Sequence, residues 1–394
     1  MFSNNFKTLI VLLVFCVVGQ SILNIPLKKG KITKQLQPFI KGSILKSGIT
    51  DKLINLEDDI YLAQIQVGLS QDTFEVVFDT GSNFFWVPSN NCETCIQSGM
   101  SKGYYCTQED ACVSSDFILQ QYYATGDISG NITNFVVRIP GTKPVNYFGI
   151  LVDFVYQLPS GLQGIIGLTP FYDFQTDTKK PNLITLLYQE KQIEKPIVSF
   201  YQAFDVDEQS GKYQSAITFG GYDETKIVEK LNYFKVIKKN SWSIQIEGFE
   251  VGGVNIFKGK EEALIDNGTT SFYIRPDIGE KFFDYIMGVR NITLGDNYDV
   301  DCDADFPNVS FTFRNTEDKL VTYEVEPDFY ITRGTNNTCY IYFEGFIGAP
   351  TFVIGNTFLR KYLPVFDYEK NTVGFARTIN QAPQLPQKEQ IQQY

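Results

Sequence analysis

The sequence predicts an all-β protein built from two lobes that share a cleft. Short runs rich in Val, Ile, Tyr and Phe, broken by Gly, Asn and Pro, fill most of the chain from Tyr61 onward. Two Asp-x-Gly turns, Asp79–Gly81 and Asp266–Gly268, each follow an apolar strand. Each turn is followed downstream by a second apolar segment that ends in Gly. The second half of the chain therefore repeats the first, and each half supplies one aspartate.

The composition restricts the chemistry. The chain has 394 residues and no histidine, so Ser-His-Asp and Cys-His catalysis and imidazole-dependent zinc sites are excluded. Carboxylate chemistry is the main remaining route to hydrolysis at or below neutral pH. A net charge of −11 disfavours binding to phosphate backbones. We therefore expect no nucleic acid partner, no metal and no cofactor.

The first 52 residues predict two segments that precede the mature protein. Residues 1–20 resemble a secretory signal peptide, with Lys7 ahead of the apolar run Leu9–Val18. That run is too short to cross a bilayer, which needs about 20 residues, so we expect no membrane span in the mature form. Residues 21–52 carry seven lysines and one acid. They predict a basic prosegment that binds the acidic body until carboxylates protonate, with a solvated basic linker as the alternative.

The remaining chain divides into two lobes and a tail. We assign residues 53–222 to an N-terminal lobe and residues 223–379 to a C-terminal lobe, with a crossing at Ile217–Gly221. Helical patterns are scarce, and the best are Asn182–Glu190 and Pro276–Met287. Residues 380–394 are rich in Gln and Pro and are predicted to be disordered.

Six cysteines follow the signal segment, an even number that predicts three disulfides in an oxidising compartment. Cys302 and Cys339 stand apart and are predicted to pair. The other four, Cys92, Cys95, Cys106 and Cys112, allow three pairings, and their Cys-x-x-Cys start leaves a zinc knuckle as an alternative. Candidate glycosylation sequons begin at Asn131, Asn291, Asn308 and Asn336. A further sequon at Asn267 falls in a turn that we expect to be a poor acceptor.

The first Asp-x-Gly turn lies within the motif Val77-Phe78-Asp79-Thr80-Gly81-Ser82, and Trp86-Val87-Pro88 follows it closely. Gly81 allows a sharp turn and offers its N–H to the carboxylate. Ser82 is predicted to donate a hydrogen bond to Asp79. Together with the second turn and with Gly164–Leu168 and Val353–Asn356, this group resembles the pepsin-like aspartic proteases from about Tyr61 to Ala376.

The resemblance implies a bilobal pepsin-like double β-barrel fold with pseudo-twofold symmetry and a cleft between the lobes. Asp79 and Asp266 would form the catalytic pair. The residues that would support the pair are Thr80, Gly81, Ser82, Asn267, Gly268 and Thr269. Asn267 stands where the family has a threonine that hydrogen-bonds the facing loop.

The hairpin Tyr122–Gly130 resembles the flap that covers substrate in this family. Tyr123 would reach the indole of Trp86, and Thr125 and Gly126 would form the tip. By position in the resemblance, the side chains that line the cleft are Val77, Tyr123, Tyr156, Leu162 and Ile165.

The sequence thus predicts an aspartic endopeptidase that cleaves proteins or peptides next to bulky apolar residues. It would be made as a monomeric zymogen whose prosegment inhibits it, and would reach the extracellular space or an acidic lysosome- or vacuole-like compartment. The alternative is an inactive protein of the same fold that binds peptides or inhibits other proteins.

Overall fold

The computed structural model describes residues 43–45, 48–56, 60–159, 161–170, 181–295, 298–333, 338–345 and 350–381. The predicted signal peptide, residues 1–20, lies outside these ranges, as do residues 21–42 of the predicted prosegment and residues 382–394 of the predicted tail. Within the described residues strands dominate and the helices are short. The prediction of an all-β fold is confirmed.

Twelve strands occupy the first half of the described chain. They are β1 Ser43–Leu45, β2 Gly48–Lys52, β3 Ile54–Leu56, β4 Ile60–Val67, β5 Asp72–Asp79, β6 Phe85–Pro88, β7 Val113–Tyr123, β8 Gly126–Arg138, β9 Val145–Tyr156, β10 Ile165–Gly167, β11 Ile197–Tyr201 and β12 Ala216–Phe219.

Thirteen strands occupy the second half of the described chain. They are β13 Asn232–Lys238, β14 Ser241–Val251, β15 Val254–Ile265, β16 Phe272–Ile274, β17 Asp299–Asp301, β18 Val309–Arg314, β19 Leu320–Val325, β20 Ile331–Arg333, β21 Thr338–Ile341, β22 Phe343–Gly345, β23 Phe352–Ile354, β24 Tyr362–Asp367 and β25 Thr372–Arg377.

The helices within the described ranges are few. They are α1 Glu93–Gln97, α2 Leu183–Gln189, α3 Asp205–Gln209, α4 Pro276–Asp284, α5 Pro327–Tyr330 and α6 Asn356–Leu359, with a 3₁₀ turn at Glu224–Lys226 and a π-helical turn at Tyr285–Val289. Both predicted helices are present. Asn182 caps α2 by accepting the Thr185 N–H at 2.9 Å, and Pro276 opens α4. Among the described residues, none of the helices is long and apolar enough to cross a membrane.

The internal repeat appears as the same strand arrangement in each half. In the first half β10 lies parallel to β5 and antiparallel to β6. In the second half β23 lies parallel to β15 and antiparallel to β16. β5 ends at Asp79, and β15 ends at Ile265, just before Asp266. The two aspartates therefore lie at the ends of equivalent strands in the two halves. This arrangement gives the pseudo-twofold relation that the sequence predicted.

A sheet shared by both halves joins the lobes. β11 pairs with β12 on one side and with β24 on the other, and β24 continues to β25 and β13. β2 adds to the outer side of β12, with Thr50 opposite Thr218. Strands from residues 48–52 and 197–219 therefore form one sheet with strands of the second half.

Aromatic packing fixes the second half around its aspartate turn. Phe272, which follows the turn, stacks on Phe311 and Phe343 with ring centroids 4.8 and 4.6 Å apart. Phe249 stacks on Phe311 at 5.0 Å. Such pairs add about 0.5–1.5 kcal/mol each beyond the burial of their area. They hold the strand after Asp266 in place.

Three disulfides form among the described residues: Cys92–Cys95, Cys106–Cys112 and Cys302–Cys339. The predicted Cys302–Cys339 pair is confirmed, and the pairing that the sequence left open is resolved as two short local loops. All four cysteines of the possible zinc knuckle are oxidised. The thiolates that zinc needs are therefore not available there.

One boundary differs from the prediction. Asn380, assigned to the disordered tail, is firmly held: its Nδ2 donates to the carbonyl oxygens of Gln202 and Arg360, each at 2.7 Å. Its Oδ1 accepts from the Tyr201 hydroxyl at 2.6 Å. The sequence missed this because the three partners are distant in the chain and only the fold brings them together.

Candidate active site

The two aspartates lie on matching turns. Asp79 is 7% exposed and Asp266 is 9% exposed. The Gly81 N–H donates to Oδ1 of Asp79 at 2.8 Å, and the Gly268 N–H donates to Oδ1 of Asp266 at 2.9 Å. Each glycine therefore points its N–H at the carboxylate two residues earlier.

The two turns meet so closely that neither glycine can carry a side chain. A Cβ added to Gly81 would collide with the carboxylate of Asp266, and a Cβ added to Gly268 would collide with that of Asp79. Glycine is therefore required at both positions by the approach of the facing carboxylate. The same crowding shows that the lobes bring the two carboxyl groups together.

Thr80 and Asn267 connect the turns across the symmetry axis. Oδ1 of Asn267 accepts the Thr80 N–H at 2.9 Å, and Nδ2 of Asn267 donates to the carbonyl oxygen of Phe78 at 2.7 Å. In return, Oγ1 of Thr80 accepts the Asn267 N–H at 3.0 Å and donates to the carbonyl oxygen of Ile265 at 3.0 Å. The amide of Asn267 supplies the one acceptor and one donor that a threonine hydroxyl would supply.

The pair of carboxyl groups holds a proton at pH values where an isolated carboxyl is ionised. Burial raises the pKa of Asp266 well above its usual range, and the negative charge of Asp79 and the hydrogen bond that protonated Asp266 donates to that carboxylate add to the rise. The Thr269 hydroxyl and the Gly268 N–H oppose it. Because the groups interact strongly, their titration belongs to the pair.

The hydroxyl groups beside the two aspartates differ. The Thr269 hydroxyl donates to Oδ2 of Asp266 at 2.7 Å. The predicted bond from Ser82 to Asp79 is wrong for this structure, because the buried Oγ of Ser82 has no hydrogen-bond partner among the described residues. Ser82 instead lies near the Tyr123 hydroxyl. The two halves of the site are therefore not equivalent in their hydroxyl contacts.

The flap hairpin is formed by β7 and β8, with its tip at Tyr123–Gly126. The indole N–H of Trp86 donates to the Tyr123 hydroxyl at 2.9 Å. Burial raises the pKa of Tyr123 above its usual range, and the negative charge of Asp79 adds to the rise. The hydroxyl therefore stays protonated, and the flap is tied to the strand that follows the first turn. Thr125 lies in this tip, and a Cβ at Gly126 would meet the backbone of β9.

Four of the five predicted lining residues come together. Val77, Leu162 and Ile165 belong to one buried apolar cluster, and Tyr123 packs against it. Tyr156 is 52% exposed and lies outside this cluster, opposite Asp127 of the flap. The cluster, which includes Ile128 of β8, forms an apolar wall under the flap hairpin, and Tyr156 lies outside it.

A buried amide pair behind the second turn was not foreseen. The Nε2 of Gln202 donates to Oδ1 of Asn356 at 2.7 Å, and both residues are fully buried. The Asn356 N–H in turn donates to the carbonyl oxygen of Thr269. Gln202 lies 154 positions before Asn356, so no local pattern could reveal the contact. Within the described ranges, His, Cys, Asp and Glu form no group suited to a metal ion.

Comparisons with known proteins agree with this geometry. A sequence model of the family described as eukaryotic aspartyl protease matches residues 60–378. The chain is 28% identical to cathepsin D of Rattus norvegicus, over 91% of this chain and 90% of that protein. It is 27% identical to cathepsin E-B of Xenopus laevis, over 96% of this chain and 98% of that protein. It is also 27% identical to plasmepsin I of Plasmodium falciparum, over 91% of this chain and 81% of that protein.

The match covers both Asp-x-Gly turns, the flap and the two strands that pass behind the turns. The span of the match and the similarity to relatives along 81–98% of their length agree with the paired-aspartate geometry. This chain therefore belongs to the eukaryotic aspartyl protease family and is an aspartic-type endopeptidase of the pepsin-like fold.

Proposed function

We propose that this protein hydrolyses peptide bonds next to bulky apolar residues, through a water molecule held between Asp79 and Asp266, and that it is made as a zymogen. The observation that carries the proposal is the meeting of two buried carboxyl groups, each on a glycine turn packed against the other. Two such carboxyls share one proton, which gives one base and one acid in the same site.

The proposed reaction uses both groups. The ionised carboxylate takes a proton from the water as the water oxygen attacks the peptide carbonyl carbon. The protonated carboxyl donates its proton to the carbonyl oxygen, which gives a neutral tetrahedral diol. The carboxyl that took the water proton then donates it to the peptide nitrogen, and the other carboxylate takes back a proton from a diol hydroxyl, so the C–N bond breaks, an acid and an amine are released, and the pair again holds one proton.

The preference for apolar residues rests on the wall under the flap. Val77, Leu162 and Ile165 offer only carbon atoms, and Tyr123 adds its ring. Burying a large apolar side chain of the substrate against such a wall gains about 1.5–3 kcal/mol. A charged side chain would lose its hydration there without a partner.

The zymogen part of the proposal rests on charge. Without residues 1–52, which contain eight lysines and Asp51, the chain keeps 26 basic against 44 acidic residues. A basic prosegment binds such a body at neutral pH and dissociates as carboxylates protonate. The prosegment would therefore be released in an acidic compartment of the secretory pathway, such as a lysosome. The relatives named cathepsin D and cathepsin E-B and the signal-like residues 1–20 support that route.

Glycans on the same route would attach at exposed sequons. Asn291 and Asn308 are exposed, and Asn131 is partly buried in β8. Asn267 is 3% exposed and engaged in hydrogen bonds, so we propose that it stays unmodified. Asn336 lies outside the described residues.

The test uses the purified full proform. It is incubated at pH 3–5 with casein, with and without pepstatin, and the chain and casein are followed by mass spectrometry. We expect pepstatin-sensitive loss of the N-terminal segment and cleavage of casein beside large apolar residues. The matched control is Asp79→Asn, which should do neither. Absence of any cleavage by the wild-type chain at every pH would refute the proposal and favour the peptide-binding alternative.

A further inference from the structure

The segment after β6 contains a disulfide that packs in the same cluster as Trp86, the residue that hydrogen-bonds the flap. Cys92, the N-cap residue of α1, is bonded to Cys95 within α1, and the two are 1% and 2% exposed, while the other side of the helix faces solvent at Glu93, Ile96 and Gln97. The two cysteines belong to the same apolar cluster as Trp86 and the lining residues of the cleft. The proposed function gives no role to this Cys-x-x-Cys pair.

Thr94, between the two cysteines, accepts a hydrogen bond from a backbone N–H of β9 that lies beyond the end of the neighbouring strand β6. β6 runs parallel to β9 and ends at Pro88, opposite Val152, but β9 continues to Tyr156. The Val155 N–H donates to Oγ1 of Thr94 at 2.9 Å. A backbone N–H at a buried site needs a partner, and Thr94 supplies it beyond the end of β6.

The same hydroxyl contacts the disulfide. Oγ1 of Thr94 lies 3.6 Å from Sγ of Cys92. Because a disulfide sulfur carries no hydrogen, the hydroxyl of Thr94 must be the donor. A short chain of hydrogen bonds therefore runs from the Val155 N–H through the Thr94 hydroxyl to the disulfide.

Val155 connects this series of hydrogen bonds to the flap. It stands opposite Ile128 of β8, and both side chains are buried in the cluster that also holds Trp86. β8 leads directly into the flap tip, where Tyr123 accepts the hydrogen bond from Trp86. A shift of β9 at Val155 would therefore move the strand that carries the flap.

The Cys92–Cys95 bond is the one of the three that adds least to global stability. Its cysteines are 3 positions apart, against 6 and 37 for the other two bonds. The entropy that a cross-link removes from the unfolded chain grows with loop length. Loss of this bond should change local geometry while the lobes remain folded.

We propose that the Cys92–Cys95 disulfide is a thiol-sensitive brace for the flap, acting through Thr94 on β9. Thr94 is thus a positioning residue for substrate binding. The proposal deepens the proposed function, because it assumes that the flap closes over substrate. It makes binding of substrate depend on the redox state of one surface helix.

The proposed chemistry is exchange with a small thiol of the glutathione class. Local opening of α1 exposes the bond, and a thiolate attacks Sγ of Cys95 to form a mixed disulfide. The Cys92 thiolate leaves and keeps the hydrogen bond from the Cys95 N–H, which is 3.2 Å long in the intact bond. A second thiolate attacks the mixed disulfide, releases the Cys95 thiolate and forms the small-molecule disulfide. Two thiols are oxidised, one protein disulfide is reduced, and both cysteine sulfurs take up protons.

The first test uses the purified protein after incubation at pH 3–5, so that any prosegment is removed, and titrates it with reduced glutathione at neutral pH. Free thiols are trapped with iodoacetamide and located by peptide mass spectrometry, and kinetics are then measured at acidic pH. We expect Cys92 and Cys95 to be labelled first, with KM raised fivefold or more and kcat changed less than twofold. Earlier or equal labelling of the other four cysteines, or an unchanged KM after reduction, would overturn the proposal.

Variants distinguish the effect of the Thr94 hydroxyl from the effect of the Cys92–Cys95 disulfide. Thr94→Val keeps the shape and the disulfide but removes the hydroxyl, and should raise KM as reduction does. Thr94→Ser keeps the hydroxyl and should restore the wild-type KM. Cys106→Ser/Cys112→Ser removes another short bond and should leave KM unchanged. A wild-type KM for Thr94→Val would contradict the proposal.

A readout without catalysis distinguishes failure of this inference from failure of the proposed function. The chain has two tryptophans, so Trp242→Phe leaves Trp86 as the single emitter. Reduction should shift Trp86 emission to longer wavelength, while far-ultraviolet circular dichroism stays constant. If no substrate is ever cleaved, the proposed function fails, but labelling order and Trp86 emission still decide the brace. Unchanged emission after reduction would reject it.

Discussion

Thr80 and Asn267 hydrogen-bond each other in both directions across the junction of the lobes, each through its side chain to the other's backbone N–H. The two bonds are 2.9 and 3.0 Å long, and both residues are buried. The threonine expected at position 267 is replaced by a side chain with a separate donor and acceptor. Asparagine therefore preserves the link between the lobes, with its oxygen always the acceptor and its NH₂ always the donor.

Replacing Asn267 tests this link. Asn267→Leu has similar volume but leaves the Thr80 N–H and the Phe78 carbonyl without their partners. We expect the free energy of unfolding to fall by about 1–3 kcal/mol per unpaired group, with loss of most activity. Asn267→Thr is the matched control and should keep both. Urea unfolding and a peptide assay measure the two effects, and equal stability of the Leu variant and the wild type would contradict the assignment.

The raised pKa of Asp266 predicts a specific pH dependence of stability. The folded protein binds the Asp266 proton more tightly than the unfolded chain does, so ionisation is costly only in the folded state. The contribution is fully present below about pH 4 and is lost as the pH rises through the raised pKa. Asp266→Asn cannot ionise. We therefore expect the wild type to lose stability relative to Asp266→Asn between pH 4 and neutrality.

Chemical unfolding at a series of pH values measures that difference. The Asn variant should also lack peptidase activity at every pH, since it can neither release nor share the proton. A difference in the free energy of unfolding that does not change with pH would show that Asp266 titrates normally.

The bond between Trp86 and Tyr123 predicts a modest kinetic effect. Tyr123→Phe removes the hydroxyl that accepts the indole N–H at 2.9 Å. One hydrogen bond contributes about 0.5–1.5 kcal/mol, so kcat/KM should fall roughly two- to tenfold. Tyr122→Phe is the matched control, because Tyr122 is the adjacent flap residue and is 37% exposed. Equal effects of the two substitutions would mean that the bond does not position the flap.

The disulfides predict a graded loss of stability. Removing Cys302–Cys339, whose cysteines are 37 positions apart, should cost about 4 kcal/mol in the free energy of unfolding. Removing Cys106–Cys112, 6 positions apart, should cost about 2 kcal/mol. Paired serine variants compared by urea unfolding give both values. A larger loss for the shorter loop would contradict the loop-entropy explanation.

The sequence by itself determined the all-β class and the two aspartate turns, because these depend on local patterns, and its resemblance to the pepsin-like proteases indicated where the flap hairpin lies. An apolar strand followed by Asp-x-Gly predicts the same turn wherever it occurs, and the repeat of that pattern predicts two matching halves. The isolation of Cys302 and Cys339 likewise left one sensible partner for each.

Other features were decided only by the tertiary structure, because they join residues far apart in the chain. The lack of a hydrogen bond from Ser82 to Asp79 among the described residues and the anchoring of Asn380 by Tyr201, Gln202 and Arg360 are such features. The sequence showed that Asn267 differs from threonine but not that its amide would meet Phe78 and Thr80 in hydrogen-bonding geometry. That outcome depends on how closely two lobes pack, which is set by burial across the whole interface and not by any local pattern.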